Sequence, residues 1–439
     1  MRSSAERSEG NITAIDRLSD LPDSVLCHIL SFLPTRLSVA TSILSTRWRL
    51  LWTLVPNLEL DQDLDKSSSF VDVVSRVLIL HKAQSIRRCR LICSEYYCKP
   101  THVNTWVSAA VGLNVEELDI SYRRSLLVDA GFIGFPSSLF TCKTLVVLKL
   151  DSSMPFRVPL CVQLPLLNIL HLIRVEFVYD NSLQRFLSGC PALEDLDVDR
   201  NVDVNYTCKI NVPTLKRLKI RISSVFTKVK IEINTPSLEY LNLSACDCQE
   251  FILERLPNLV EANVHVYSGA GYTDEIINLF KGLNNVKFLE LSEHITRYLS
   301  FDLPQFHNLV SLKISVGSCD EQFLPNLLEN CCKLEDLVIE KSGSQSCWAA
   351  PKHVPICLSM NFTSFYFGEY QGLKDELELA GYILKHAIHL KTMTIRCAKV
   401  WDSDDDDYVD KFGFGEKFCL LKKLSMFPRG SKSCQLSFE

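Results

Sequence analysis

The chain has 439 residues, of which 47% are hydrophobic and 23% charged, and its formal net charge is −5. Such a composition excludes a globally disordered polymer, and the weak acidity gives no electrostatic case for nucleic acid as a bulk partner. No apolar run approaches the roughly 18–20 residues of a membrane span, and the length is too great for one uninterrupted core.

The first residues, MRSSAERSEGNITAIDRLSD, carry charge without a following apolar segment, so no secretory address is expected. The expected setting is the nucleus or cytoplasm, with no membrane partner. The eighteen cysteines are then expected to be reduced. Cys27, Cys161, Cys190 and Cys419 lie among apolar neighbours and are expected to be small core side chains. Residues 1–16, polar and rich in Ser, Arg and Glu, are expected to be flexible.

From Leu18 an apolar rhythm begins. Asp20 or Ser19 is placed to cap a helix with Pro22 in its first turn. Val25, Leu26, Ile29, Leu30 and Leu33 give one broad apolar face, and Pro34 stops the helix. Thr35 or Ser38 starts a second helix through Val39, Ile43 and Leu44, and Ser45-Thr46 leads into Trp48, Leu51 and Trp52. Residues 17–56 therefore read as a compact helical module whose many leucines and two tryptophans call for packing on something else. By periodicity alone the favoured reading is an N-terminal helical hairpin that caps the solenoid.

Residues 57–110 read as a helical bridge. Phe70, Val73, Val74, Val77, Leu78 and Leu80 form one helix, capped by Asp65 or Ser67–Ser69, and His102 to Ala110 around Trp106 forms another. Within it, Cys89, Cys93, Cys98 and His102 are close enough to suggest zinc, but C-x3-C-x4-C-x3-H fits no common closed site.

Residues 111–347 repeat L-x-x-L-x-L. Matches are VEELDI (115–120), LVVLKL (145–150), LNILHL (167–172), LEDLDV (193–198), LKRLKI (215–220), LEYLNL (238–243), LVEANV (259–264), VKFLEL (286–291), LVSLKI (309–314) and LEDLVI (334–339). LKTMTI (390–395) continues the series beyond, and FTSFYF (362–367) fills the one long gap with aromatics. The last two apolar residues of each match alternate around one outward position, as a short strand requires. Segments such as 182–190, 274–283 and 320–331 read as helical crossovers, and stacked copies bury one continuous core. The array is similar to leucine-rich repeats, with parallel strands expected on a concave face. Outward positions then carry partner binding: Glu194, Asp195 and Asp197, with Asp199 beside them, make an acidic patch. Lys216, Arg217 and Lys219, followed by Lys228 and Lys230, make a basic one. Tyr240, Phe288 and Glu335 complete the candidate set. Such a surface suits a folded protein or charged peptide.

Residues 348–439 change character. A short strand and polar turn lead to a helix on Leu377, Leu379, Ile383, Leu384 and Ala387. Asp375 and Glu376 in its first turn and Lys385 and His386 near its end match the helix dipole. A strand from Met393 to Ile395 comes next. The acidic run 402–410 lacks the ligand positions of a calcium loop and reads as a solvated loop. Leu420, Leu421, Leu424 and Met426 suggest a last weak strand.

Two resemblances give this layout a meaning. L-P-D-x-V-L-x-x-I-L-S-F-L-P-T followed by T-S-I-L-S-T-R-W-R-x-L-W (residues 21–52) resembles the plant form of the F-box. The resemblance implies docking on a Skp-type adaptor and, through it, on a cullin and a RING subunit. It implies that Leu21, Pro22, Leu26, Ile29, Leu30, Leu33 and Pro34 form much of that contact, supported by Leu44, Trp48 and Trp52. Arg36-Leu37-Ser38 departs from the acidic or lysine residue that many members carry there, which bears on adaptor choice. At the other end, G-E-Y-x-G, E-L-E-L-A-x-Y-I-L-K-x-A and L-K-T-M-T-I (368–395) resemble the FBD domain.

The fold expected is α/β: a small all-helical F-box module, a leucine-rich-repeat solenoid and an FBD-like cap. No nucleotide-binding, hydrolase or metalloprotease motif is present, so no catalytic residue, metal or cofactor is assigned. The function implied is that of a non-catalytic, substrate-recognition subunit of an SCF-type ubiquitin ligase with an unidentified target protein. The alternative is a repeat scaffold or receptor that binds a partner without delivering it.

Overall fold

A computed structural model describes residues 18, 20–63, 70–94, 96, 98–123, 134–152, 157–179, 181–202, 205–224, 228–246, 248–254, 256–267, 273–296, 303–317, 321–342, 348–402, 407–410 and 414–439. The expected flexible segment 1–16, Ser19, and the helix-capping residues Asp65 and Ser67–Ser69 lie outside these.

Strands run in chain order as β1 (Asn57–Asp61), β2 (Arg88–Ser94), β3 (Glu117–Arg123), β4 (Val147–Ser152), β5 (Ile169–Ile173), β6 (Asp195–Val202), β7 (Tyr206–Asn211), β8 (Arg217–Ser224), β9 (Val229–Asn234) and β10 (Tyr240–Cys246). They continue as β11 (Cys248–Leu253), β12 (Glu261–Tyr267), β13 (Phe288–Leu291), β14 (Ser311–Val316), β15 (Asp336–Lys341), β16 (Ser364–Tyr370), β17 (Thr392–Cys397), β18 (Lys399–Asp402), β19 (Asp407–Asp410) and β20 (Gln435–Phe438). The α-helices are α1 (Asp23–Leu30), α2 (Thr35–Ala40), α3 (Phe70–Leu80), α4 (Pro100–Gly112), α5 (Ser182–Ser188), α6 (Thr273–Gly282), α7 (Glu293–Thr296), α8 (Phe323–Glu329), α9 (Ile356–Met360), α10 (Lys374–His386) and α11 (Phe414–Ser425).

Fifteen strands form one sheet in the order β1-β2-β3-β4-β5-β6-β8-β10-β12-β13-β14-β15-β16-β17-β20. Neighbours pair in parallel and in constant register, so that Leu118, Leu148, Leu170, Leu196, Leu218 and Leu241 form one inward row. Every apolar position of the twelve L-x-x-L-x-L matches is buried, none more than 4% exposed. Parallel strands need a crossover between them, and helices such as α5, through Leu183, Phe186 and Leu187, seal the opposite side of the core. The repeats stack tightly: a Cβ on Gly189 would overlap the backbone oxygen of Val162.

One backbone device recurs along the sheet. The carbonyl just before a strand accepts two N–H donors from the next repeat. Glu116 takes those of Val146 and Val147, Glu194 those of Lys216 and Arg217, and Glu335 those of Thr363 and Ser364, all at 2.8–3.0 Å. It extends past the repeats, where Thr363 accepts Lys391 and Thr392 and Lys391 accepts Gln435. It begins at Pro56, whose carbonyl accepts the N–H groups of Arg87 and Arg88 at 2.8 and 3.3 Å.

Several expectations are corrected. The bridge 57–110 is not purely helical, because β1 and β2 are the first two strands of the sheet. Pro22 occupies the N-cap of α1 rather than its first turn, and Asp20 does not cap it. A second parallel sheet, β11-β9-β7, replaces helical crossovers behind β6 to β12. At its entrance the Arg200 guanidinium lies between the rings of Phe177 and Tyr206, 4.9 and 4.3 Å from their centres. Within the acidic run, Asp402 and Asp407–Asp410 belong to the antiparallel pair β18 and β19, while 403–406 lie outside the described residues. Leu420, Leu421 and Leu424 lie on helix α11, and the last strand is β20. Cys190 is buried as expected, but Cys161 and Cys419 are exposed and Cys27 is half-buried.

The N-terminal module is fixed to the first strand of the sheet and to the end of α3 by directed bonds. Thr35 Oγ1 accepts the Glu59 N–H at 2.7 Å, Asn57 Nδ2 donates to Ser31 O at 3.2 Å, and Thr53 O accepts the N–H of Lys82 at 2.8 Å. Buried His81 donates from Nε2 to Val55 O at 2.9 Å. At the far end, Lys341 closes β15 with its Nζ 2.9 Å from Glu376 Oε1 and 3.7 Å from Asp375. Both Lys341 and Glu376 are almost wholly buried. The second oxygen of Glu376 accepts the N–H groups of Gln371, Gly372 and Leu373 at 2.8–3.0 Å.

Both junctions can be tested by substitution. Removing one member of a buried pair leaves an uncompensated charge, so Lys341→Met should cost about 3–5 kcal/mol, with part recovered by adding Glu376→Gln. Denaturant unfolding with hydrogen exchange along α10 reads this, and equal effects of single and double variants would contradict it. At the other junction, burial holds the His81 pKa below its ordinary 6.5. The unfolded chain therefore takes up the proton first, and stability that is full above about pH 6.5 is lost as pH falls toward the folded value. His81→Gln should flatten the stability profile below pH 6.5; an unchanged slope would contradict this assignment.

Candidate functional site

Two surfaces are candidates. The first is the outside of the N-terminal module. Its own core is Leu26, Leu30, Trp48, Leu51 and Val55, all buried, with Leu21 and Cys27 packed against it. Leu26 and Leu30 are one helical turn apart on α1, and Trp48, Leu51 and Val55 come from the 3-10 turn Trp48–Leu54 and its end. Ser38 Oγ donates to Leu30 O at 3.0 Å, and Arg47 Nε to Asp23 Oδ1 at 2.9 Å, so the three short elements are tied together.

With that core complete, a second set of apolar side chains faces outward. Phe32 is 75% exposed, Ile43 88% and Leu44 63%. Val25, Ile29, Leu33, Leu37, Leu50 and Leu54 are exposed with them. Of the ten residues expected to contact an adaptor, Pro22, Ile29, Leu33 and Leu44 are exposed, and Leu21 and Pro34 are half-buried. Leu26, Leu30 and Trp48 sit inside the module, and Trp52 joins the solenoid core. These four are buried and present no free surface. Val25, Phe32, Leu37, Ile43, Leu50 and Leu54 are exposed apolar residues outside that expected set.

The second surface is the outward face of the sheet. Here the expected acidic and basic patches meet. Register places Asp195, Asp197 and Asp199 of β6 beside Arg217, Lys219 and Arg221 of β8. Arg221 bonds Asp199 at 3.0 Å and Asp197 at 3.3 Å, Arg217 is 3.7 Å from Asp195, and Lys216 is 3.0 Å from Glu194. His171, its Nε2 3.8 Å away, is the largest influence holding the Asp195 carboxyl below its usual range, whereas burial raises that of Asp197. The two patches therefore neutralise each other rather than standing free. Similar pairs recur along the face, in Arg90 with Glu59 and Asp119, and in Lys313 with Glu290.

Lys219 forms no ion pair among the described residues. Tyr240 lies under the Arg217 guanidinium, 4.5 Å from the ring centre, and its hydroxyl accepts from Asn242 and Asn263 at 3.5 and 3.3 Å. Phe288 is exposed on β13, and Glu335 is exposed just before β15. Lys228 is exposed, while Lys230 belongs to the second sheet, where it bonds Glu232 and Glu250.

Among the described residues no group of three or more His, Cys, Asp or Glu could hold a metal ion. Cys89, Cys93 and Cys98 are buried in the core, and His102 Nδ1 accepts the Lys99 N–H at 3.3 Å instead of joining them. No described helix is long and apolar enough to cross a membrane.

Three family models match the chain in sequence order. The F-box domain model matches residues 18–60, and a model described as the leucine-rich repeats of the FBD-associated F-box protein At5g56370 matches 103–263. The FBD model matches 350–395. Among full-length relatives from Arabidopsis thaliana, the F-box/FBD/LRR-repeat protein At3g52680 is 35% identical over 97% of this chain and 93% of its own length. The FBD-associated F-box protein At5g56370 is 34% identical over 97% of this chain and all of its own length. With these likenesses running nearly end to end, the chain belongs to the plant F-box/FBD/LRR-repeat family.

Proposed function

We propose that this chain is a non-catalytic target-recognition subunit of an SCF-type ubiquitin ligase. In this reading the N-terminal module docks on a Skp-type adaptor, which joins it to a cullin and a RING subunit, and the outward sheet face holds a target protein. The observation that carries it is the exposed apolar surface of a module whose own core is already closed. An apolar surface left over after folding is the usual mark of a protein-binding site, and family membership makes an adaptor its fitting occupant. The bonds from Ser31 and Thr35 to β1, and from Thr53 and Val55 to the end of α3, support the second half of the role. They hold the target surface at a fixed placement relative to the adaptor surface, and a subunit that contributes proximity depends on that.

The test is capture of a purified Skp-type adaptor by the full chain and by surface variants. Phe32→Asp and Ile43→Asp leave the module's core intact and should each weaken binding by about 2 kcal/mol or more, roughly 30-fold. Leu30→Glu is unsuitable because Leu30 is 1% exposed and its loss breaks the module itself. Unchanged capture by both surface variants, or no capture by wild type across several adaptor paralogues, would sink the ligase reading and leave a repeat scaffold.

A further inference from the structure

Charges on the outward face pair with their neighbours along much of the sheet, and the pairing lapses between β8 and β13. Register sets Lys219, Asn242, Asn263 and Glu290 in one row across these four strands. Arg217 and Arg221, on either side of Lys219, have carboxylate partners on β6, and Glu290 has Lys313. Lys219 makes no ion pair within 4 Å among the described residues, although its charge reaches Asp195 and Asp197 from farther away, and its ammonium is half-buried. The two central positions are carboxamides side by side. Each spends one N–H on Tyr240 Oη and keeps its carbonyl oxygen uncommitted among the described residues. A carboxamide carries the same donor and acceptor as a peptide group. In the adjoining row Phe288 is 45% exposed, and Glu261 beside it has no cationic partner among the described residues.

We infer that this window holds an extended peptide segment of the target, lying across the strands, with one acidic residue at Lys219 and an aromatic or leucine anchor against Phe288. The inference rests on the reading above that the outward sheet face receives the target. Asn242 and Asn263 hold the segment's backbone, so the residues between the two ends are uncharged. Lys219 on β8 and Phe288 on β13 are three strand spacings apart across the sheet, about 14 Å, and two residues apart along it, about 7 Å, so the span is about 16 Å, which an extended chain covers in about five residues. Glu261 repels a second acid near the anchor, which gives the segment a direction.

The experiment is selection of phage-displayed random 12-residue peptides on the full-length chain. Enriched sequences should carry an acidic residue and an aromatic or leucine about five positions apart, with no acid beside the anchor. Their capture should fall at least ten-fold with Lys219→Met and with Asn263→Leu, and stay unchanged with Phe32→Asp. Both sheet positions are solvent-facing, and circular dichroism confirms that the variants fold. No enrichment, basic consensus sequences, or undiminished capture by the two sheet variants would overturn the proposal. Adaptor capture run in parallel separates the two claims. If adaptor binding fails while the peptide consensus appears, only the ligase reading falls; if the reverse occurs, only this one does.

Discussion

One carbonyl per repeat, shared by two N–H donors of the next, sets the geometry on which the rest of the molecule depends. It belongs to the second residue of each L-x-x-L-x-L, such as Glu116, Glu194 or Glu335. The apolar residue before it, such as Val115, Leu193 or Leu334, is buried, which holds that carbonyl level with the incoming strand. Buried backbone groups must find partners, so a slip of one residue would break this contact and turn the inward row outward. The same contact begins at Pro56, where the helical module ends, and reaches Gln435, beyond the FBD match. Three domain names thus share one hydrogen-bonded ladder.

The inward positions are spoken for by that ladder, so recognition falls to the outward ones. Parallel register brings residues from successive repeats within reach, and opposite charges there pair across strands, as Arg221 does with Asp197 and Asp199. With Asp197 buried and Asp199 half-buried, these pairs remove charge from the surface a partner meets. In the proposed role, specificity would concentrate where pairing stops, around Lys219, Asn242, Asn263 and Phe288. The apolar outside of the N-terminal module is the opposite kind of surface, selective by shape and burial.

Much of the sheet was legible because L-x-x-L-x-L states directly which residues are buried. The strand at 88–94, R-C-R-L-I-C-S, was not read as such, because arginines and cysteines obscure its alternation and no leading leucine announces it. Strands Tyr206–Asn211 and Val229–Asn234 do alternate with period two, and an expectation of helical crossovers hid them. Leu420, Leu421 and Leu424 have helical spacing that a short window mistook for a strand. On the N-terminal module, periodicity distinguished apolar from polar residues but not Leu30, which faces the module's interior, from Phe32, which faces out. Charge pairing was invisible because Asp197 and Arg221 are brought together only by strand register.

Hydrogen–deuterium exchange of the full chain with and without a saturating Skp-type adaptor tests the central claim most directly. The account predicts new protection confined to residues 21–54, with amides of the outward sheet face from β8 to β13 unchanged. Protection on the sheet face, or none on the module, would contradict it.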